Sequence, residues 1–190
     1  MNKPDTTDTD GTTIDKSESG VAQAAWLLKT GTAKKLGKQS KGGIIYQILT
    51  DIERLEPMIK IVGNEGGSGY FSKEILFFKN VEACIDKHER GQPFPSKIFQ
   101  TAFTGRSINN SSFLAAILRA EKLLALATDT EGRHIIFGDW AEWKASILAE
   151  PGQPIVIEAT PKEEATPIET DAKPDQTDEN KTPVPTRRKK

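Results

Sequence analysis

The chain is poor in the residues that build cross-links and metal sites. It holds one cysteine, Cys84, and two histidines, His88 and His134. A lone cysteine excludes an internal disulfide, and two distant histidines without thiol partners give no zinc-ligand spacing. Cys84 lies in an apolar-periodic segment and is expected to be a buried, inert thiol. Long apolar runs are absent as well. No stretch reaches the length needed to cross a bilayer, and the start lacks the basic and then apolar regions of a secretory signal. No membrane partner and a cytoplasmic location are therefore expected. No pair of acids is placed for general acid and base work, and no Ser or Cys nucleophile motif accompanies the histidines. The chain is expected to have no enzymatic activity, no metal and no cofactor.

Hydrophobic residues are also missing from both ends. Residues 1–20 are almost all Asp, Thr, Ser, Gly, Asn and Lys, and the sequence from about 150 onward is Pro, Thr, Glu, Asp and Lys, with EATP occurring twice. Such segments bury too little apolar surface to offset a backbone ordering cost of roughly 1–2 kcal/mol per residue. Residues 1–20 and 150–190 are thus expected to be disordered. The near-neutral total charge of −1 conceals a split, because both ends are net acidic and residues 21–148 carry seventeen bases against thirteen acids. A mildly basic middle with acidic tails is compatible with nucleic-acid binding.

Within 21–91, the spacing of Val21, Ala24, Ala25 and Leu28 predicts an amphipathic helix that ends or kinks at Gly31. Five lysines (29, 34, 35, 38 and 41) then occur without an acid. They read either as a phosphate-contacting arm, with Lys34, Lys35 and Lys38 as its centre, or as a solvated connector. Branched and aromatic runs at 43–50, 57–63 and 70–78 predict a three-stranded antiparallel meander. The GNEGGSG run at 63–69 lacks the Gly-Lys-Ser/Thr ending of a phosphate loop and precedes a strand, so a flexible connection is expected. Asn80 is the expected N-cap of a helix that Gly91 closes, with His88 near its C-terminus.

The organising stretch runs from Pro95 to Asp139, within a domain expected over 92–149. Ser96 is placed to cap a short helix through about Phe103, and Thr104-Gly105-Arg106-Ser107 forms a turn. A second helix begins at Asn109 or Asn110, with an apolar stripe of Phe113, Leu114, Ala116, Ile117, Ala120, Leu123 and Leu124. A hairpin tipped by Asp129-Thr130-Glu131-Gly132-Arg133 follows, and Asp139 caps a closing helix. Trp140, Trp143 and Ile147 share one face of that helix, as core anchors or as a dimer or partner surface.

The stretch from Ser96 to Phe137, and above all ILRAEKLLALATDTEGRHIIF, resembles the winged helix-turn-helix superfamily. That resemblance covers about 42 of the 190 residues. It implies a second helix that enters the major groove of double-stranded DNA. Ser107, Asn109, Asn110 and Ser112 would then face base edges or phosphates, and Arg106 and Arg133 would meet the DNA backbone or minor groove. Asn109 and Asn110 also serve as helix caps, and Arg133 also reads as an ordinary solvated residue. The local charge is only +1 across 91–148, which leaves the lysine arm to supply the remaining phosphate contacts.

The fold expected is α+β: a helix, a three-stranded antiparallel sheet with a following helix (21–91), then a C-terminal winged helix-turn-helix with a closing helix (92–149). The function expected is a bacterial-type DNA-binding protein, a transcriptional regulator or a DNA-processing accessory factor. The alternative is a non-enzymatic adaptor that meets a protein partner, or a second copy of itself, through the winged helix and the Trp140/Trp143 helix.

Overall fold

The computed structural model describes residues 22–157 apart from Lys38 and Ser68. The disorder expected for residues 1–20, and for the tail past 157, lies outside the described residues. The fold is α+β. Seven strands occur among the described residues: β1 (Gln23–Lys34), β2 (Gly43–Asp51), β3 (Pro57–Asn64), β4 (Ile75–Phe77), β5 (Leu124–Leu126), β6 (His134–Ile136) and β7 (Gln153–Ile157). The helices are α1 (Phe78–Ile85), a 3-10 helix over Ser96–Ala102, α2 (Asn110–Ala120) and α3 (Trp140–Ala149).

The main sheet has five antiparallel strands in the order β4-β3-β2-β1-β7, and β5 pairs with β6 in a separate hairpin. The meander read from the sequence is thus the middle and one edge of a larger sheet. The addition on the other side comes from two segments expected to be something else.

Residues 23–34, expected as a helix that ends or kinks at Gly31 and then the start of the lysine arm, form the strand β1. It pairs with β2 from Ala25↔Asp51 to Lys34↔Gly43, with an irregularity between Leu27 and Lys29. That bulge leaves Leu28 as an extra residue and breaks the two-residue alternation of a strand. Apolar side chains on either side of it then recur at three and four residues, which mimics a helix. Gly31 does not end a helix but lies under the Tyr46 ring, where an added Cβ would sit 2.5 Å from the ring's Cζ. A glycine inside a strand often marks such a close approach.

Residues 153–157, expected to belong to the tail, form β7, which pairs with β1 from Gln23↔Ile157 to Leu27↔Gln153. Its Ile-Val-Ile run is β-branched and has an unpaired strand edge to complete. The connection before it is held by Arg54, whose guanidinium donates to the carbonyls of Leu148, Glu150 and Pro151 and lies 4.8 Å from the Trp26 ring centre.

Two helix starts also differ from expectation. α1 begins at Phe78 with Phe77 in the N-cap position, so Asn80 lies inside the helix, which ends at Ile85 well before Gly91. Its second residue is served by Glu56, whose Oε1 accepts the Lys79 N–H at 2.7 Å. Ser96 opens the 3-10 helix without capping it. Asp139 does cap α3, accepting the Glu142 N–H at 2.9 Å. Cys84 is half-buried, its Sγ meeting the Asn80 carbonyl and the Thr101 hydroxyl.

The helices cover one face of the sheet. Ile44, Tyr46, Ile48, Ile59 and Ile61 from the strands share one core with Phe78, Phe94, Phe99, Leu114, Ile117 and Trp140. This core joins residues on both sides of the boundary expected near 91. The opposite sheet face carries a smaller cluster of Ala25, Leu49, Met58 and Ile157. Trp140 and Trp143 both pack on Phe78, with ring centres 5.4 and 4.6 Å away.

Candidate nucleic-acid interface

Three connections meet at one end of the sheet. The first is the β1–β2 hairpin with the lysine run, the second the glycine-rich connection between β3 and β4, and the third the turn that precedes α2. The hairpin and the glycine loop are joined by backbone and side-chain bonds. Lys35 Nζ donates to the Glu65 carbonyl at 2.6 Å, and the Glu65 N–H donates to the Gly43 carbonyl at 2.8 Å. Gly42, at φ 74°, approaches so closely that an added Cβ would lie 2.2 Å from the Glu65 oxygen. Only glycine fits both that conformation and that gap.

The glycine loop is in turn bound to the turn before α2. The Tyr70 carbonyl accepts Ser107 Oγ at 2.7 Å and Asn109 Nδ2 at 2.9 Å. Asn110 is fully buried; its Oδ1 accepts the Ser72 N–H at 2.9 Å, and its Nδ2 donates to the Gly105 carbonyl at 3.3 Å. Glu74 accepts the Thr104 N–H at 2.9 Å, the Thr104 hydroxyl at 2.6 Å and the Gly105 N–H at 3.0 Å. Burial pushes the Glu74 carboxyl up, but the bonds from Thr104, Ser72 and Gly105 together outweigh it and hold it below the usual carboxylate range.

The residues singled out in the sequence therefore part company here. Lys34 and Arg106 are exposed and Lys35 is half-buried, all on this end, while Lys38 lies outside the described residues. Lys41, the last of the lysine run, and Lys73, not singled out before, are exposed as well. Ser107, Asn109 and Asn110 are turned toward the glycine loop and hold its backbone. Ser112 Oγ bonds the Asn109 carbonyl at 2.8 Å. Arg133 sits half-buried in the β5–β6 hairpin, outside this hydrogen-bonded assembly; its N–H closes the hairpin turn onto the Thr130 carbonyl at 3.3 Å. α2 is enclosed along most of its length: Asn110, Ser111 and every residue from Leu114 to Leu118 are buried. A helix that reads a groove needs a free face, so the contacts available at this end come from loops. The sequence signal for Glu74 and Tyr70 was weak, since neither belongs to a motif; only the fold brings them to the turn.

Two other polar sites have different characters. At the C-terminal end of α2, the buried Glu121 carboxylate accepts the Tyr46 hydroxyl, Lys29 Nζ at 2.8–2.9 Å and the Trp143 indole N–H at 3.1 Å. Burial first, and then the Glu121 carboxylate, push the Tyr46 hydroxyl well above its ordinary range. An open cavity of about 400 Å³ is lined here by Leu28, Lys29, Glu121, Trp143 and Ser146 among others. Its buried charge is already bonded to protein donors. Elsewhere, His134 Nε2 lies 3.1 Å from Ser96 Oγ, and its Nδ1 is buried with no partner among the described residues. Burial, helped by Arg119, lowers the His134 pKa to about 4. Among the described residues no His, Cys, Asp and Glu group could hold a metal ion, and no helix is long and apolar enough to cross a membrane.

Comparison with protein-family models, curated proteins and solved structures returns no match to this chain.

Proposed function

We propose that this chain is a DNA-binding protein whose contact surface is the loop end described above. One observation carries the reading: Lys35–Glu65 and the Ser107 and Asn109 bonds to Tyr70 tie the lysine hairpin to the turn before α2. The loops that carry bases 34, 35, 41, 73 and 106 meet at one end of the sheet, and the hairpin's lysines would add to the small positive charge of residues 91–148. Of the two acids there, Glu74 is engaged by the turn it holds and Glu65 is exposed beside Gly43, where it offsets one of the lysines. Exposed lysines and an exposed arginine suit phosphate oxygens, whose neutralisation releases counterions and supplies sequence-independent affinity.

The order of elements supports a winged-helix relationship. α1 is followed by an extended segment at Phe94, whose N–H and carbonyl exchange 2.9 Å bonds with His134 of β6, and then come the 3-10 helix, α2 and the β5–β6 hairpin. A short helix, a turn, a second helix and a hairpin is the order on which the resemblance of residues 96–137 rests. In this chain the buried α2 acts as the frame, and the turn and loops before it make the contact. For the adaptor alternative, which uses the winged helix and the Trp140/Trp143 helix, the tryptophans offer little free surface, because their rings pack on Phe78 and their N–H groups bond Leu123 and Glu121.

The test is binding of the full chain to labelled mixed-sequence DNA, duplex and single-stranded, across a salt series. Affinity is expected to fall steeply as salt rises, and Lys34→Glu combined with Lys35→Glu to weaken it by about tenfold or more at moderate salt. No binding of either form at low salt overturns the reading.

A further inference from the structure

The stretch that follows β7 carries a charge opposite to that of the loop end. β7 pairs with β1 so that Ile157 aligns with Gln23. Both segments outside the sheet therefore depart from the end opposite the β1–β2 hairpin. β1 is 12 residues long, which is about 36 Å from end to end at ~3.3 Å per residue. A chain returning along it needs roughly 11 residues even when fully extended. Past that distance, the stretch after Ile157 holds five carboxylates up to residue 180, Glu169, Asp171, Asp175, Asp178 and Glu179, against one base, Lys173. The segment before Gln23 holds only three past the same distance, Asp10, Asp8 and Asp5, against Lys3. At the loop end the bases 34, 35, 41, 73 and 106 stand against two acids, Glu65 and Glu74, so five less two leaves +3 among the described residues.

We infer that residues 169–179 of the same chain seat on this loop end and shield its bases, so that nucleic acid must displace them. Their net charge, five acids less one lysine, is −4 and opposes the +3 of the loop end. Glu74 is occupied by the Thr104 and Gly105 amides, which leaves the bases their charge for a partner from outside the sheet. Carboxylates offer those bases the same anionic oxygens that phosphates do. Each exposed charge pair is weak and is screened by salt. The covalent link through β7, however, makes the contact intramolecular, at an effective concentration on the order of millimolar. The contact follows from charge and chain length alone; its competition with DNA rests on the reading above.

A zero-length carbodiimide, which joins a carboxylate to a lysine only on contact, maps the seat on the full chain at low salt. Crosslinks are expected from residues 169–179 to Lys34, Lys35, Lys41 or Lys73, and are expected to disappear at high salt. Lys79, Lys87 and Lys97, exposed elsewhere on the fold, give the background. A full-chain variant combines Glu169→Gln, Asp171→Asn, Asp175→Asn, Asp178→Asn and Glu179→Gln, and circular dichroism checks that it keeps the fold. It is expected to bind labelled mixed-sequence DNA about tenfold more tightly than the parent at low salt, with the gain shrinking as salt rises. Linkage to the background lysines as frequent as to the loop end, or only to Lys181, Lys189 and Lys190 of the same stretch, overturns the inference. So does a tighter-binding variant whose parent gives no loop-end crosslink, because general repulsion of DNA then explains the gain. Unchanged DNA affinity despite loop-end crosslinks refutes the shielding. Loop-end crosslinks with no DNA binding by either protein support the contact and sink the DNA-binding reading.

Discussion

At the C-terminal end of α2 the Glu121 carboxylate gathers side chains from β1, β2 and α3, whereas near its N-terminal end the Glu74 carboxylate gathers the backbone and hydroxyl of a single turn. The first is nearly sealed from water, with its side chain 4% exposed; the second is half-buried. The two ends of one helix therefore use the same chemical group for opposite purposes. Glu121 links the layers of the core through a buried, fully bonded charge. Glu74 shapes a surface turn whose neighbours are lysines and arginine. A stability determinant and a surface determinant can be told apart by what the carboxylate bonds: side chains from distant elements in one case, local amides in the other.

The strongest way to test the comparison is to remove the core carboxylate. Glu121→Ala leaves the buried Tyr46 hydroxyl and Trp143 N–H without their acceptor, and is expected to cost about 3 kcal/mol. The cost sits at the lower end of the range for broken buried pairs because Lys29 is partly exposed and can return to water. Urea unfolding measures it, and a loss under about 1 kcal/mol would show that the cluster is not a core clamp.

A pH series separates the two ends at opposite extremes. The folded Tyr46 hydroxyl ionises only well above its ordinary value of 10.0, while the unfolded chain ionises near that value. Its contribution is therefore complete below about pH 10 and is lost as pH rises toward the folded pKa. Glu74 has the opposite sign. Its folded pKa is lowered from 4.5, so its contribution is present above that value and is lost as pH falls through the folded pKa. Urea midpoints should decline at both extremes, with Tyr46→Phe flattening the alkaline limb and Glu74→Gln the acid limb. Swapped assignments would contradict the geometry.

The smallest stability effect is expected for Glu74→Ala, about 1 kcal/mol, because its amide partners can reach water once the carboxylate is gone. Hydrogen exchange at Thr104 and Gly105 should nevertheless quicken, and DNA affinity fall, as the turn carrying Arg106 loosens. If this variant destabilises as much as Glu121→Ala, the loop end belongs to the core and the contrast collapses.

Much of the helical part was legible in the sequence. The stripe of Leu114, Ile117 and Leu123 is in the core, Asp139 caps α3, and the Asp-Thr-Glu-Gly-Arg segment turns the β5–β6 hairpin. What local pattern could not show is where a second surface covers an element. Asn110 looks like a solvent-facing polar residue until the segment after the glycine loop closes over it, where its Oδ1 takes the N–H of Ser72, 38 positions earlier. β1 was hidden because the bulge at Leu28 disrupts the alternation and because its second partner, β7, is remote. β7 was hidden because a five-residue Ile-Val-Ile strand between prolines and acids is diluted in any compositional window.

The pairing of β1 with β7 has a consequence for how the chain reaches its fold. The first and last described strands are neighbours, and Gln23 aligns with Ile157. A ribosome releasing this polypeptide can let β2, β3 and β4 meet early, since they are successive. The sheet's far edge stays open until nearly all of the described chain has emerged. Contacts of that sequence separation close slowly, and β1 meanwhile presents an unpaired edge. Folding should therefore finish with the docking of β7, and a chain truncated before residue 153 should refold to a sheet with β1 at its margin and a tendency to self-associate there.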